Sequence, residues 1–170
     1  MWPVFADAVA LAAVVDGLAE PWQESGVTHV AGIESRGFLL GGAVAVRLGV
    51  GFIAVRKQGG LLPGPKVTAT TRPDYRGLTH LLRMRNAVGS GNTVLLVDDW
   101  AERGSQASAV ADLVAQRGAR LAGLSLIVDQ LDDETRAGLG RVTSLVRAAE
   151  LGDPESTPVG AGSPPGLSGE

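Results

Sequence analysis

Thr93-Val94-Leu95-Leu96-Val97-Asp98-Asp99-Trp100-Ala101-Glu102-Arg103-Gly104-Ser105-Gln106 is the stretch that decides how this chain folds. Its apolar residues, 94–97, stop abruptly at two adjacent carboxylates. A short loop carrying Gly104 and Ser105 follows, and residues 107–116 then run in a helical pattern. A buried parallel strand accounts for the apolar run. In an α/β sheet, the carboxyl end of such a strand, its loop and the next helix's N-terminus form the place where phosphorylated ligands collect. Unpaired backbone N–H groups there favour an anion, and neighbouring carboxylates accept hydrogen bonds from sugar hydroxyls. On these residues alone a second reading stays open, in which Asp98 and Asp99 simply end a strand and cap a helix.

Working outward, strands and helices alternate. Residues 28–33 read as a strand and 37–48 as a helix that Gly49 stops. Residues 51–55, 93–97, 121–128 and 141–146 read as further strands. A helix ending at Gly118 and a short one over 132–139 lie between the later ones. Residues 4–18 are predicted to form an amphipathic helix capped by Asp7. This order predicts a parallel sheet with helices on both faces. Two segments break it. Residues 57–77 are rich in Gly, Pro, Thr and basic residues with little periodicity, as in functional or mobile loops. The run 78–85 alternates in part and is predicted to be the return arm of a hairpin. A Gly/Pro/Ser-rich tail, 151–170, is expected to be disordered, which leaves residues 1–150 as one domain.

Composition narrows the classes of function. The chain has 170 residues, enough for one domain with a full core. It has no Cys, which removes disulfides, thiol nucleophiles and thiolate metal sites. A formal net charge of −3 gives no general attraction to nucleic acid or anionic membranes, so neither is expected as a partner. Asp7 and Asp16 interrupt the apolar N-terminal run and no basic residues precede it, so neither a membrane span nor a signal peptide is expected. A cytoplasmic location follows as the default. His29 and His80 are isolated and receive no role. The Asp132-Asp133-Glu134 cluster is explained by capping and the helix dipole rather than by a metal.

Four segments in register carry a family resemblance. Gly32-Ile33-Glu34-Ser35-Arg36-Gly37-Phe38-Leu39-Leu40-Gly41 resembles the pyrophosphate loop of adenine phosphoribosyltransferases. Val55-Arg56-Lys57 with Leu62-Pro63-Gly64-Pro65 resembles the start of their mobile catalytic loop, and Asp74-Tyr75 its acidic-Tyr pair. Val97-Asp98-Asp99 with the following loop resembles their phosphoribosyl diphosphate motif. The resemblance covers about residues 4–147. It implies the α/β type I phosphoribosyltransferase fold: a central, mostly parallel sheet flanked by helices, with a mobile loop or hairpin.

The activity it implies is transfer of phosphoribosyl from phosphoribosyl diphosphate to a purine or purine-like base, adenine first, with release of pyrophosphate, in purine salvage. Arg36, Arg56 and Lys57 would supply charge to the departing pyrophosphate, and the backbone from Glu34 through Ser35 to Gly37 would supply donors. The Glu34–Ser35 peptide would be cis. Asp98 and Asp99 would grip the ribose hydroxyls. Mg²⁺ would be held mostly by substrate oxygens and water, with these two as its only candidate protein ligands. Asp74 and Tyr75, with Arg56, form the expected catalytic set, on a loop that closes against water. A homodimer is carried over from the family.

The departures bear on phosphate and base. Where the family runs Ala-Thr-Gly-Gly-Thr, this chain has Glu102, Arg103, Gly104, Ser105 and Gln106. Gly104 and the Ser105 hydroxyl still suit a 5′-phosphate. Glu102 is unfavourable beside a dianion unless it turns outward or pairs with Arg103, and Arg103 is a candidate phosphate ligand. The mobile-loop Lys of the family aligns with Gly60, and Lys66 is the candidate substitute. By this resemblance the family's segment whose Phe-Arg-Asp part helps cover adenine is expected to be missing ahead of the first long helix. The alternative from another class is therefore a non-catalytic module that binds phosphoribosyl diphosphate or a nucleotide on the same fold.

Overall fold

The computed structural model describes residues 1–73 and 77–151. Asp74, Tyr75 and the predicted tail from 152 onward lie outside the described residues.

Seven strands form one sheet in the order β3-β4-β2-β1-β5-β6-β7. They are β1 (His29–Ile33), β2 (Gly51–Lys57), β3 (Lys66–Thr70), β4 (Leu81–Arg85), β5 (Thr93–Ala101), β6 (Arg120–Asp129) and β7 (Arg141–Arg147). The pairs β1–β2, β1–β5, β5–β6 and β6–β7 are parallel, while β4 runs antiparallel to both β2 and β3. The sheet is thus mostly parallel with an antiparallel hairpin on one edge. The expected return arm is β4; its partner β3 falls inside the stretch read as irregular. Its Lys66, Thr68 and Thr70 alternate with Val67 and Ala69, a weak period-2 signal on an edge strand.

The helices cover both faces. They are α1 (Trp2–Ala6), α2 (Ala8–Ala19), α3 (Arg36–Leu48), α4 (Ser105–Gln116) and the short α5 (Asp133–Gly138). Leu18, Leu40 and Val44 from α2 and α3 pack with Val30, Leu95 and Val97 on one face. Val110, Leu113 and Val114 of α4 pack with Leu96, Leu124, Leu126 and the hairpin's Leu82 and Met84 on the other. The single N-terminal helix expected from the sequence is two. Asp7, at φ −98 and ψ 120, leaves the helical region, and its carboxylate accepts from the Ala10 N–H at 2.7 Å, starting a new helix as the predicted cap. Gly49 ends α3 as predicted, at φ 68, where its N–H reaches the Ala45 and Val46 carbonyls.

β5 runs four residues further than the apolar stretch suggests. Asp98 pairs with Leu126, Trp100 with Val128 and Ala101 with Asp129 of β6. The two acids therefore lie inside the strand rather than after it, and successive side chains are sent to opposite faces of the sheet.

The chain leaves β1 toward β2 on one side and enters β5 beside β1 on the other. The carboxyl ends of β1 and β5 therefore flank the point where strand order reverses, which is where open α/β sheets place their ligands.

Candidate active site

Two glycines bring the β1 loop and β5 together. A Cβ on Gly32 would lie 2.0 Å from the Gly37 carbonyl oxygen, and one on Gly37 would lie 3.2 Å from Asp98 Oδ1. Only the absence of side chains lets the first turn of α3 close on the sheet at this point. The peptide between Glu34 and Ser35 is cis, as the family resemblance implied. Ser35 precedes α3 without a side-chain capping bond. In the first turn the Phe38 N–H donates to the Ser35 carbonyl at 3.1 Å, which leaves the Arg36 and Gly37 N–H groups as the donors a helix start can offer an anion.

Arg36, the first residue of α3, points its guanidinium back across the sheet, and its Nε lies 2.7 Å from Asp99 Oδ2. A cation at a helix N-terminus is unfavourable on its own, and the buried Asp99 carboxylate is what offsets it. Asp98 faces the other side of the strand. Burial pushes its carboxyl up to about 7; the Asp99 N–H, 2.9 Å from Asp98 Oδ1, favours the charged form, while the neighbouring Asp99 charge raises the value further.

Two adjoining cavities open here. The first, about 300 Å³, is lined by Arg36, Asp98 and the whole of the turn from Glu102 through Arg103, Gly104 and Ser105 to Gln106, with an apolar floor that includes Ile33, Leu96 and Leu124. The second, about 240 Å³, is lined by Glu34, Ser35, Arg36, Lys57, Asp98, Asp99 and Gln106, with Trp2 and Trp100. Arg36, Asp98, Trp100 and Gln106 border both.

Gly104 gives the turn its shape. It sits at φ 63 immediately before α4, in the left-handed region that favours glycine. Its Cα packs against α5 and the residues on either side of it: an added Cβ would lie 2.4 Å from Thr135 Cγ2 and 3.2 Å from Leu131 Cδ2 and Leu139 Cδ1. A side-chain latch holds that neighbour in place. Arg136 pairs with the buried Asp129, which also accepts the Leu131 N–H at 2.9 Å. Glu102 and Arg103 are both exposed, and neither makes an ion pair with a described residue.

Arg56 lies apart from both cavities. Its guanidinium grips Glu34 through Nη2 to Oε1 at 2.7 Å and Nε to Oε2 at 3.3 Å, and donates to the Leu61 carbonyl at 2.8 Å. The bond from Arg56, together with the Lys57 N–H at 3.1 Å, holds the Glu34 carboxyl below its ordinary value despite the desolvation that opposes it. Arg56 thus ties the β1 loop to the start of the irregular segment, a positioning arrangement that the sequence did not reveal. Arg83 adds a second tie by donating to the carbonyls of Lys57, at 3.1 Å, and Gly60. Alternation on β4 was the only trace of Arg83 in the sequence. Lys66 is occupied with the carbonyls of Leu62 and Gly64 and lines neither cavity. Neither tryptophan was singled out from sequence, although Trp100 stands next to the acidic pair.

A helix start, two adjacent carboxylates of which Asp99 is buried, and a tight glycine turn meet at the switch point of a mostly parallel sheet, the place where α/β folds collect phosphorylated ligands. The chain belongs to the phosphoribosyl transferase domain family, whose model matches residues 5–138. Its relatives include adenine phosphoribosyltransferase of Streptomyces coelicolor, 40% identical over 127 residues that cover 75% of this chain and 69% of that protein. Adenine phosphoribosyltransferase of a Bradyrhizobium strain, BTAi1, is 39% identical over 145 residues, covering 85% and 80%. Among solved structures, the Saccharomyces cerevisiae adenine phosphoribosyltransferase complexed with an imino-altritol bisphosphate and adenine is 34% identical with a TM-score of 0.74, covering 85% of this chain and 84% of that one.

Proposed function

We propose that this protein transfers the phosphoribosyl group of phosphoribosyl diphosphate to adenine and releases pyrophosphate. One observation carries the reading: the acidic pair, the Gly104 turn and the donor-rich start of α3 border two connected cavities at the switch point of the sheet. The naming of the relatives as adenine phosphoribosyltransferases supports the choice of base and gives the non-catalytic module no support.

In this reading the 5′-phosphate occupies the first cavity, on the N–H groups and hydroxyl of Gly104, Ser105 and Gln106, with Arg103 adding charge. Asp98 and Asp99 accept the ribose hydroxyls. The diphosphate lies in the second cavity against Lys57, Arg36 and the donors from Glu34 to Gly37. A ring nitrogen of the base forms a bond to C1 of the sugar as the C1–oxygen bond breaks. The electron pair leaves with pyrophosphate, and the base gives up its N–H proton to solvent. The transition state carries positive charge on the sugar and growing negative charge on the leaving group, so fixed carboxylates beneath one and fixed cations around the other stabilise it. Asp74 and Tyr75 are proposed to close over the site and keep water from the sugar carbon. Arg56 acts by holding Glu34 and the base of that loop.

No three His, Asp or Glu side chains among the described residues converge as a metal site. Two carboxylates, one of them already paired with Arg36, fit an ion whose other ligands are diphosphate oxygens and water, as Mg²⁺ prefers. Bound there, Mg²⁺ would neutralise charge on the leaving group. No helix among the described residues is long and apolar enough to cross a membrane. A cytoplasmic homodimer is the form proposed for the working enzyme.

The test mixes the protein with Mg²⁺, phosphoribosyl diphosphate and each common base in turn and follows pyrophosphate release. Release with adenine is expected. Saturable binding of the sugar diphosphate with no release for any base would replace the enzyme with the binding module.

A further inference from the structure

Two of the chain's three tryptophans stand at one opening. Trp2 and Trp100 both line the second cavity, over Arg36, Lys57, Asp98 and Asp99. Core packing accounts for neither: Trp2 is 63% exposed and Trp100 41%, whereas the third, Trp22, is 2% exposed in the interior. Large aromatic surface left in water forfeits the stabilisation that burial brings, and in a chain with only 4% aromatic residues its placement at a charged cavity calls for a ligand. Neither ring is without support. The Trp100 Nε1–H donates to Gln130 Oε1 at 2.9 Å. Trp2 rests edge-on against Phe5, with ring centroids 5.7 Å apart at 90°.

We infer that Trp2 and Trp100 form the specificity-determining rim of this site, against which the planar base stacks while the sugar diphosphate fills the charged floor. The inference rests on the transferase reading above. Every other side chain lining the second cavity is polar or charged. Those groups satisfy phosphates and hydroxyls but offer no apolar face. The base must come within bonding distance of a sugar carbon held over Asp98 and Asp99, so it shares this opening. The two indoles are the flat apolar surfaces available to it there. Stacking is tolerant of ring substituents but grows with overlap, so a bicyclic base is favoured over a monocyclic one.

Kinetics on the full chain test this. Trp2→Ala should raise the KM for adenine roughly tenfold or more while the KM for phosphoribosyl diphosphate stays within about twofold, and Trp2→Phe should keep most of the wild-type adenine KM. A second measurement needs no turnover. In Trp100→Phe, Trp2 and the buried Trp22 are the only tryptophans, and emission should be quenched by adenosine 5′-monophosphate but not by ribose 5-phosphate. An adenine KM unmoved by Trp2→Ala, with no quenching, would overturn the assignment. So would emission that follows protein concentration rather than nucleotide, which would mark Trp2 as a contact between two copies. Wild-type turnover with an insensitive Trp2 sinks only the rim; wild type that binds phosphoribosyl diphosphate and turns over no base sinks the transferase reading itself.

Discussion

Arg36 Nε and Asp99 Oδ2, 2.7 Å apart, join the first residue of α3 to the carboxyl end of β5. Each solves a problem for the other. Asp99 is buried and needs a countercharge, and Arg36 stands at the positive end of a helix and needs an anion. The sequence assigned them separate ligands, diphosphate and ribose. Paired, they fix the Arg36 guanidinium beside the acidic pair, and in the proposed reading this sets the spacing between those two subsites, with the rest of the Arg36 donor fork left for the cavities it borders.

Asp99→Asn should remove the charge that Arg36 faces and a strong acceptor for the ribose. A charge-assisted hydrogen bond contributes about 1.5–3 kcal/mol, so affinity for phosphoribosyl diphosphate should fall at least tenfold. Asp132 provides the control. It caps α5 by accepting the Thr135 N–H at 2.7 Å, and Asn caps equally well, so Asp132→Asn should leave binding unchanged. Titration calorimetry on both variants decides; equal losses would mean that the ribose subsite has been put in the wrong place.

The Asp98 carboxyl gives stability a pH dependence of definite sign. Its value in the folded protein, about 7, lies above the ordinary 3.8 of the unfolded chain. Between those values the folded state holds the proton more tightly, so stability falls as pH rises through that window and levels off above pH 7. The loss across the whole window is on the order of 4 kcal/mol. Denaturant midpoints taken without ligand should therefore be higher at pH 5.5 than at pH 7.5, and Asp98→Asn should flatten the difference. A wild-type profile already flat there would show that the carboxylate is not held away from water.

The strand-helix alternation was legible because the buried strands carry unbroken apolar runs and Gly49 stops α3 sharply. β3 was not, because an edge strand of Lys, Thr and Ala needs little apolar surface and takes its conformation from pairing with β4. The acidic pair was legible as a feature at the sheet's carboxyl end, and both residues line a cavity there. Its place inside β5 was not, because β6 continues the ladder past the point where hydrophobicity ends. Arg36, Lys57 and the turn from Glu102 to Gln106 reach the cavities as expected. Arg56 does not, since its partner Glu34 comes from a different strand end and no local pattern announces that pairing.

Glu102 and Arg103 test the altered anion turn. Both border the first cavity and are exposed, with no ion pair to a described residue. Glu102→Ala should tighten ribose 5-phosphate binding by removing a like charge, and Arg103→Ala should weaken it. Solvent screening keeps each effect to about 1 kcal/mol or less, roughly fivefold, and raising the salt concentration should shrink both. Affinities unchanged in both variants at low salt would show that the two side chains turn away from the phosphate.

Gly104→Ala should damage the turn in two separable ways. At φ 63 the alanine backbone is strained by about 1 kcal/mol, and the new methyl would meet Thr135 Cγ2 at 2.4 Å, an overpacking that costs about 1–3 kcal/mol more. Thr135→Ser removes that methyl group and leaves the Thr135 backbone N–H that Asp132 accepts. The double variant should thus recover the packing part of the lost stability in urea denaturation while the backbone part persists. Ribose 5-phosphate affinity should fall in Gly104→Ala and return only partly in the double variant, because the N–H groups at the start of α4 are aimed by the Gly104 backbone itself. Full recovery of both quantities would mean that crowding against α5, and not the left-handed turn, is what Gly104 is there to avoid.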